Sequence, residues 1–438
     1  MKEPVVDVGV LFESSFSFVL TGDFRNSADG SIISGRYPVR YEDANIVFNE
    51  KTYQGLTFEP LDAESAVFEL EDVVIGINFH WERKENQQFK GSLKIIVEDG
   101  KLTAINQIGV ETYLTSVISS EMSATSSAEL LKAHAVISRS WLLAQIEKTH
   151  SLQHAPQQYQ STFRTDDTLI KWYDREDHTR FDVCADDHCQ RYQGVTRQND
   201  TVADAVNATR GQLLEYDGHI CDARFSKSCG GVTELFENCW EPVHHGYLTD
   251  LRDTEGNESF PDLTVEADAQ AWIRSNPPAF CNTNDKEVLS QVLNSYDQET
   301  IDFYRWKVVY TQQELAALIL KRSGIDFGGI ADLIPVERGT SGRLIKLKIV
   351  GSKRTMTIGK ELEIRKYLSE SHLYSSAFVV DKGETVDGLP QSFTLTGAGW
   401  GHGVGLCQIG AAVMGAEGYS YDQILLHYFR NAEIVKRY

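Results

Sequence analysis

The stretch Ser392–Gly410, SFTLTGAGWGHGVGLCQIG, joins three kinds of local structure in nineteen positions. Ser392 to Leu395 alternates apolar and polar as a strand does, and from about Gln408 the spacing turns helical. Between them Gly399, Gly401, Gly403 and Gly405 alternate with Trp400, His402 and Val404. Strand, glycine loop and helix in one run point to a mixed chain. Glycine at that density lets backbone pass where side chains would block it, as when a loop lies against a ligand. An aromatic plane and an imidazole are the interactive side chains, a pairing suited to holding a sugar. A phosphate cradle fits badly, because there is no Gly-Lys-Ser/Thr ending and no dinucleotide fingerprint. A tight glycine turn between two elements is the plainer reading of the loop alone.

Upstream, the pattern changes character at about residue 110. Residues 5 to 105 are strand-like: Val6–Phe12, Ala66–Leu70 and Lys94–Glu98 alternate, with turn signals at Asp29-Gly30 and Asp99-Gly100. Over Val110–Met122 the residues Leu114, Val117 and Ile118 form a helical stripe. Ser126-Ser127-Ala128-Glu129 matches a capping box, and a run free of Gly and Pro follows to about Lys148. Leu130, His134, Ile137 and Trp141 share one face of that second helix. Residues 150–180 read as a long polar loop, and 252–300 as an acidic surface insertion containing Asn276-Pro277-Pro278. Thr311–Ser323 predicts a helix, Arg343–Val350 a half-buried strand and Tyr421–Phe429 a closing helix. The expected fold is α+β, a β-rich scaffold with a helical lobe, its helices grouped rather than strictly alternating with strands. Its expected divisions within one module are 1–105, 106–258, 259–350 and 351–438.

Asp and Glu number 63 against 42 Lys and Arg, a net charge of −21 over 438 residues. There is no basic stripe, so nucleic acid and anionic membrane surfaces are poor partners. No window approaches 18 consecutive apolar residues, so no transmembrane helix is expected. Met1–Asp7 has no apolar signal region, which leaves a cytoplasmic chain or one written without its export signal. Seven cysteines cannot all pair. Five of them, Cys184, Cys189, Cys221, Cys229 and Cys239, crowd into one segment, as expected of metal binding or of one local bridge such as Cys229 to Cys239.

Three constellations carry candidate chemistry. Glu121 ends the first helix, one turn after Val117. A carboxylate beside an apolar stripe loses hydration, which raises its pKa and suits it to general-acid work; a solvated helix-end glutamate is the alternative. His178, Cys184, His188 and Cys189 offer two imidazoles and two thiolates, a tetrahedral zinc set that would be closed and structural. A local disulfide or free thiols are the alternatives. Ser226-Lys227-Ser228-Cys229-Gly230-Gly231 brings hydroxyls and paired glycines that could line a groove, or form an ordinary turn. It lacks the Gly-x-Ser-x-Gly of a nucleophile elbow.

Together these pieces resemble the SpoIID/LytB family, stage II sporulation protein D and its amidase-enhancer relatives. The resemblance rests on Tyr113-Leu114-x2-Val117-x3-Glu121-Met122 and Leu131-Lys132-Ala133-x-Ala135-Val136-x2-Arg139-Ser140. It continues through Cys184-x3-His188-Cys189-Gln190, Ala208-Thr209-Arg210-Gly211, Ser228-x-Gly230-Gly231-x-Thr233-Glu234, Ser341-Gly342-Arg343 and Gly399-x-Gly401-His402-Gly403-Val404-Gly405-x2-Gln408-x-Gly410-Ala411. The resemblance implies a lytic transglycosylase acting on peptidoglycan glycan strands, or a wall-binding factor that stimulates a cell-wall amidase. It implies Glu121 as the catalytic acid/base, and structural zinc on His178, Cys184, His188 and Cys189. It further implies a groove lined by Ser226, Ser228, Trp400, His402 and Gln408, with Lys132 and Arg139 meeting the lactyl carboxylate of muramic acid. Location in the cell envelope follows from the same resemblance. The chain departs from the family at His134, where Gln is usual, in the Cys221–Cys239 segment, and in the 252–300 insertion.

Overall fold

A computed structural model describes residues 2–75, 83–123, 125–152, 160–173, 178–186, 189–196, 198–256, 259–292 and 302–438. Alternation in the first hundred residues becomes a largely antiparallel eleven-stranded sheet. Its inward positions, among them Phe18, Phe24, Phe58, Phe68 and Phe89, are buried in one aromatic core. The first strand, Val5–Glu13, pairs antiparallel with the last of the region, Lys101–Gly109. Its other edge accepts the two-residue strand Val183–Cys184 in parallel, with Gly9 opposite Cys184. That docking brings a segment from the long polar loop onto the sheet.

Lys101–Gly109 runs straight into helix α1 (Val110–Glu121), and helix α2 (Ala128–Leu152) packs against it. The expected stripe of Leu114, Val117 and Ile118 is buried, with Val110 and Tyr113. α2 is buried on more than its expected face, since Leu131, Ala135, Val136 and Leu142 are also buried. The cap of α2 differs from the capping box read in the sequence. The Ser127 hydroxyl accepts from the Leu130 amide at 3.3 Å, while Ser126 donates to the Gln291 carbonyl at 2.8 Å. Glu129 is drawn away to the Tyr421 amide at 2.7 Å. A tertiary partner thus displaces a local one.

A second core lies in the C-terminal half. Thr162–Arg164, Thr168–Lys171, Thr355–Gly359, Leu344–Gly351 and Ile330–Arg338 form one sheet in that order. The strand Ser392–Ala398 lies between Arg305–Thr311 and Phe378–Lys382 in another. Helix Gln312–Ser323 has the full capping box, Thr311 with Glu314. Two sequence expectations need correction here. The 150–180 stretch supplies two strands, because Leu169 and Ile170 are apolar enough to extend a sheet alongside Ile358 and Gly359. The 252–300 segment is more than a surface insertion: it buries Leu263, Trp272, Ile273, Cys281 and Val288 and contributes helices Glu266–Arg274 and Lys286–Val292. A further strand, Glu433–Lys436, follows the closing helix Tyr421–Tyr428 and pairs with Gln212–Tyr216.

Candidate functional site

Three of the four sequence-read metal ligands converge. The ligand atoms of His178, Cys184 and Cys189 lie within 4.8 Å of one another, and His188 is outside the described residues. Pairing with Gly9 fixes Cys184. Gly9 must be glycine there, because a Cβ would stand 2.7 Å from the Phe181 ring. His178 stacks on that ring at 4.5 Å. The His178 Nε2 to Cys189 Sγ separation is 3.4 Å. A tetrahedral zinc, with Zn–N about 2.0 Å and Zn–S about 2.3 Å, sets that edge near 3.5 Å. The donor set therefore fits zinc.

His178 and Cys189 also sit in the wall of a cleft of about 550 Å³, together with Trp172, Tyr173, Arg224 and Trp240. Tyr173 and Trp240 approach to 3.9 Å between ring centroids, and the Arg224 guanidinium lies 4.0 Å over Trp240. Arg224 is paired with the Asp222 carboxylate at 2.6 Å, so among the described residues the cleft offers aromatic faces and no free guanidinium. The edge of His402 meets Trp240 at 5.1 Å. Its Nδ1 accepts from the Val404 amide at 3.0 Å, which places the proton on Nε2. Burial first, then the charges of Arg224, Arg343 and Arg365, hold its pKa well below the usual range. His402 is therefore a neutral donor.

The glycine loop itself lies against protein. A Cβ at Gly403 would fall 2.5 Å from the Arg343 guanidinium, and one at Gly405 would fall 2.2 Å from the Arg224 carbonyl. Arg343 is buried and donates to the carbonyls of Gly401 and Cys229, both at 3.1 Å. Close approach is indeed why these are glycines, but a buried arginine and a neighbouring strand fill the space the sequence reading gave to a ligand. Trp400 stacks on Phe303 at 4.8 Å and meets Tyr374 at 4.6 Å. Its backbone pairs with Ser228 in both directions, at 3.0 and 2.8 Å. Ser226 lies opposite Cys407 in a short parallel bridge. The buried hydroxyls of Ser226 and Ser228 have no hydrogen-bond partner among the described residues. Gln408 opens the helix Gln408–Ala416 and reaches the Met122 sulfur at 3.9 Å.

Met122 follows Glu121, which is half-buried at the end of α1. Burial, and then the charges of Cys189, Cys184, Tyr192 and Glu121, push the Tyr113 phenol well above its ordinary range. Glu121 and the metal-binding thiols thus share Tyr113 as a neighbour.

Residues 98–216 match the family described as stage II sporulation protein, and 234–405 match a domain of unknown function (DUF8618). The chain is 25% identical to an uncharacterized protein of Brachyspira hyodysenteriae, over 85% of this chain and 77% of that one. It is 23% identical to stage II sporulation protein D of Bacillus subtilis, over 76% of each chain. It is 26% identical to the amidase enhancer of the same organism, spanning 72% of this chain and 39% of that protein's length. The chain therefore resembles stage II sporulation protein D and the amidase enhancer, with the sporulation-protein domain matched over residues 98–216. The sporulation-protein match takes in α1, α2 and the grouped His178, Cys184 and Cys189, and the second match takes in the insertion and the glycine loop. No helix among the described residues is long and apolar enough to cross a membrane.

Two expected site residues lie elsewhere. Lys132 pairs with Glu129 at 2.7 Å and lies over Tyr421. Arg139 is wholly buried, with Nη2 and Nε at 2.6 and 3.0 Å from the Glu111 carboxylate and Nη1 at 3.0 Å from the Gln212 carbonyl. The carboxylate it meets is the protein's own, so the expected lactyl contact is corrected. The Cys229–Cys239 bridge is not formed: all seven cysteines are unbridged, and Cys229 faces Cys281 at 3.6 Å. The sequence reading missed a buried group of Cys229, Asp253, Cys281 and Cys407 that can hold a metal ion. It also missed the aromatic cleft. Neither has a local signature, because their members are scattered along the chain.

Proposed function

We propose that this protein cleaves peptidoglycan glycan strands as a lytic transglycosylase, with Glu121 as its single acid/base. The observation that carries the reading is the half-buried Glu121 at the end of α1, inside the sporulation-protein match, with its neighbour Met122 in contact with Gln408. Glu121 protonates the glycosidic oxygen between N-acetylmuramic acid and N-acetylglucosamine. As carboxylate it then takes the proton of the muramic acid C6 hydroxyl. That oxygen closes on C1 of the same sugar, leaving a 1,6-anhydro end. A hydrolase needs a second carboxylate for water or for a covalent intermediate, whereas an intramolecular nucleophile is already in place.

Ser226, Ser228, His402 and Gln408 offer donors and acceptors to the strand. Trp400, held by Phe303 and Tyr374, shapes the loop that carries them, and the rings of Tyr173 and Trp240 receive the sugar. Lys132 and Arg139 drop out of the substrate set. Zinc on His178, Cys184, Cys189 and His188 supplies no chemistry to the reaction and fastens the loop that walls the cleft.

Mass spectrometry of peptide-stripped glycan strands after incubation tests this. Wild type yields anhydro-muramyl ends, and Glu121→Gln loses about 10²-fold or more of that rate. Reducing ends would show hydrolysis and refute the mechanism. Glycan binding without cleavage by either protein would support the second reading, stimulation of a separate wall amidase, which the likeness to an amidase enhancer favours.

A further inference from the structure

Cys229, Asp253, Cys281 and Cys407 come from four separate segments and are each 2% exposed or less. Their ligand atoms lie within 4.8 Å of one another. Cys229 Sγ and Cys281 Sγ are 3.6 Å apart, close to the roughly 3.8 Å edge of a zinc–thiolate tetrahedron and far from the ~2.0 Å of a disulfide. Backbone amides are aimed at the sulfurs: Cys229 N donates to Cys407 Sγ at 3.2 Å, and Gly231 N to Cys229 Sγ at 3.4 Å. Such donors are the usual outer layer of a metal–thiolate site. Asp253 receives the Cys281 amide at 3.0 Å and the Tyr428 hydroxyl at 2.7 Å. Among the described residues its one ion-pairing side chain is His427, at 3.7 Å. A wholly buried carboxylate requires a cation or a metal. Space for this carboxylate is reserved by Gly410, whose Cβ would come within 2.8 Å of Asp253 and 2.2 Å of the Tyr428 hydroxyl.

We propose that these four residues bind a second thiophilic divalent ion, of the zinc class, which fastens the 252–300 insertion to the glycine loop. Three thiolates and a carboxylate complete a tetrahedron and leave no open position, so the ion is structural. Cys229 adjoins Ser228, the backbone partner of Trp400, and Cys407 immediately precedes Gln408. Asp253 and Cys281 bring in the insertion. The site is independent of the glycan reading and of the His178 corner, so each can fail alone.

Metal analysis of protein purified reduced and without chelator tests it. Wild type carries two zinc equivalents per chain; Cys184→Ser/Cys189→Ser and Cys281→Ser/Cys407→Ser each carry one. In Cys184→Ser/Cys189→Ser, which leaves the buried site intact, cobalt(II) gives thiolate-to-metal charge-transfer bands and tetrahedral d–d bands. Removing the ion from that variant speeds proteolysis within 252–300 by about tenfold or more. Wild type with one equivalent, lost in Cys184→Ser/Cys189→Ser, overturns the proposal. So does a Cys229–Cys281 disulfide found by peptide mapping of the unreduced native chain, a result that needs no variant.

Discussion

Replacing Glu111 by Gln separates a structural Arg139 from a substrate-binding one. The Glu111 Oε1 accepts from Arg139 Nε at 3.0 Å, the Gly211 amide at 3.2 Å and the Tyr438 hydroxyl at 2.8 Å, while Oε2 accepts from Arg139 Nη2 at 2.6 Å. Glutamine fills the same space but owns one acceptor. With its oxygen towards the first three donors, its NH₂ confronts Nη2; turned over, its NH₂ confronts all three. Either way a guanidinium with no exposed surface loses its counter-charge. Breaking a buried pair from one side costs about 3–5 kcal/mol. At 2–4 °C per kcal/mol for a cooperative unit of 150–250 residues, Tm falls by roughly 6–20 °C. The companion Glu111→Leu/Arg139→Met removes both charges and should recover most of the loss, because well-packed apolar replacements of buried pairs are often neutral. Differential scanning calorimetry reads all three, and glycan binding is measured below the transition. Glu111→Gln within 1 °C of wild type, with Arg139→Met weakening binding of carboxylate-bearing glycan, would refute the reasoning.

Other substitutions probe separate links. His134 is buried beside Phe225, with both ring nitrogens unpartnered among the described residues, and burial first and the Lys227 charge second lower its pKa to about 3. The unfolded chain binds this proton near pH 6.5, so the contribution is complete above that pH and declines as pH falls towards 3, by at most about 1.4 kcal/mol per unit. His134→Gln should flatten the fall of Tm between pH 7 and 5 relative to wild type; parallel curves would refute the assignment. Gly9→Ala should push Phe181 away from its place under His178 and cost about 10-fold or more in zinc affinity at that corner, read by chelator competition, with the buried cysteine group unaffected. Gly410→Ala should do the converse, disturbing Asp253 and releasing the second metal while the first is retained.

Local signals were legible where local physics decides the outcome. The stripe of Leu114, Val117 and Ile118 gave α1, the Thr311/Glu314 box gave its helix, and of the set His178, Cys184, His188 and Cys189 three come together once Cys184 pairs with Gly9. Where a tertiary partner competes with a local one, the pattern misled. Glu129 fits a capping box but is held by Tyr421, and Leu169 and Ile170 look like part of a polar loop until Thr355–Gly359 arrives from far along the chain. Nearness in sequence offers Cys239 as a bridge partner for Cys229, with metal binding as the alternative, yet Cys407, 178 positions away, is the sulfur its own amide meets. Arg139 shows the limit most plainly. Its motif was readable, but whether the carboxylate it serves belongs to a substrate or to Glu111 depends on which way a helix faces.

The glycine loop deserves the same question, because its chemistry was read as ligand contact and its geometry is protein contact. Four glycines clear the way for Arg343 and the neighbouring backbone, and Trp400 is spent on Phe303 and Tyr374. What the loop offers outward is therefore narrow: the edge-to-face contact of a neutral His402 with Trp240, and the register it imposes on Ser228 and Gln408. A loop that positions neighbours through its backbone should be far more sensitive to Gly403→Ala, which collides with a buried guanidinium, than to Trp400→Phe, which keeps the aromatic stack. If sugar stacking on Trp400 dominated instead, the order would reverse: Trp400→Phe would weaken glycan binding by more than the loss of Tm explains. Titrating glycan strands into both variants decides between them, since the two accounts rank the same pair of substitutions in opposite order.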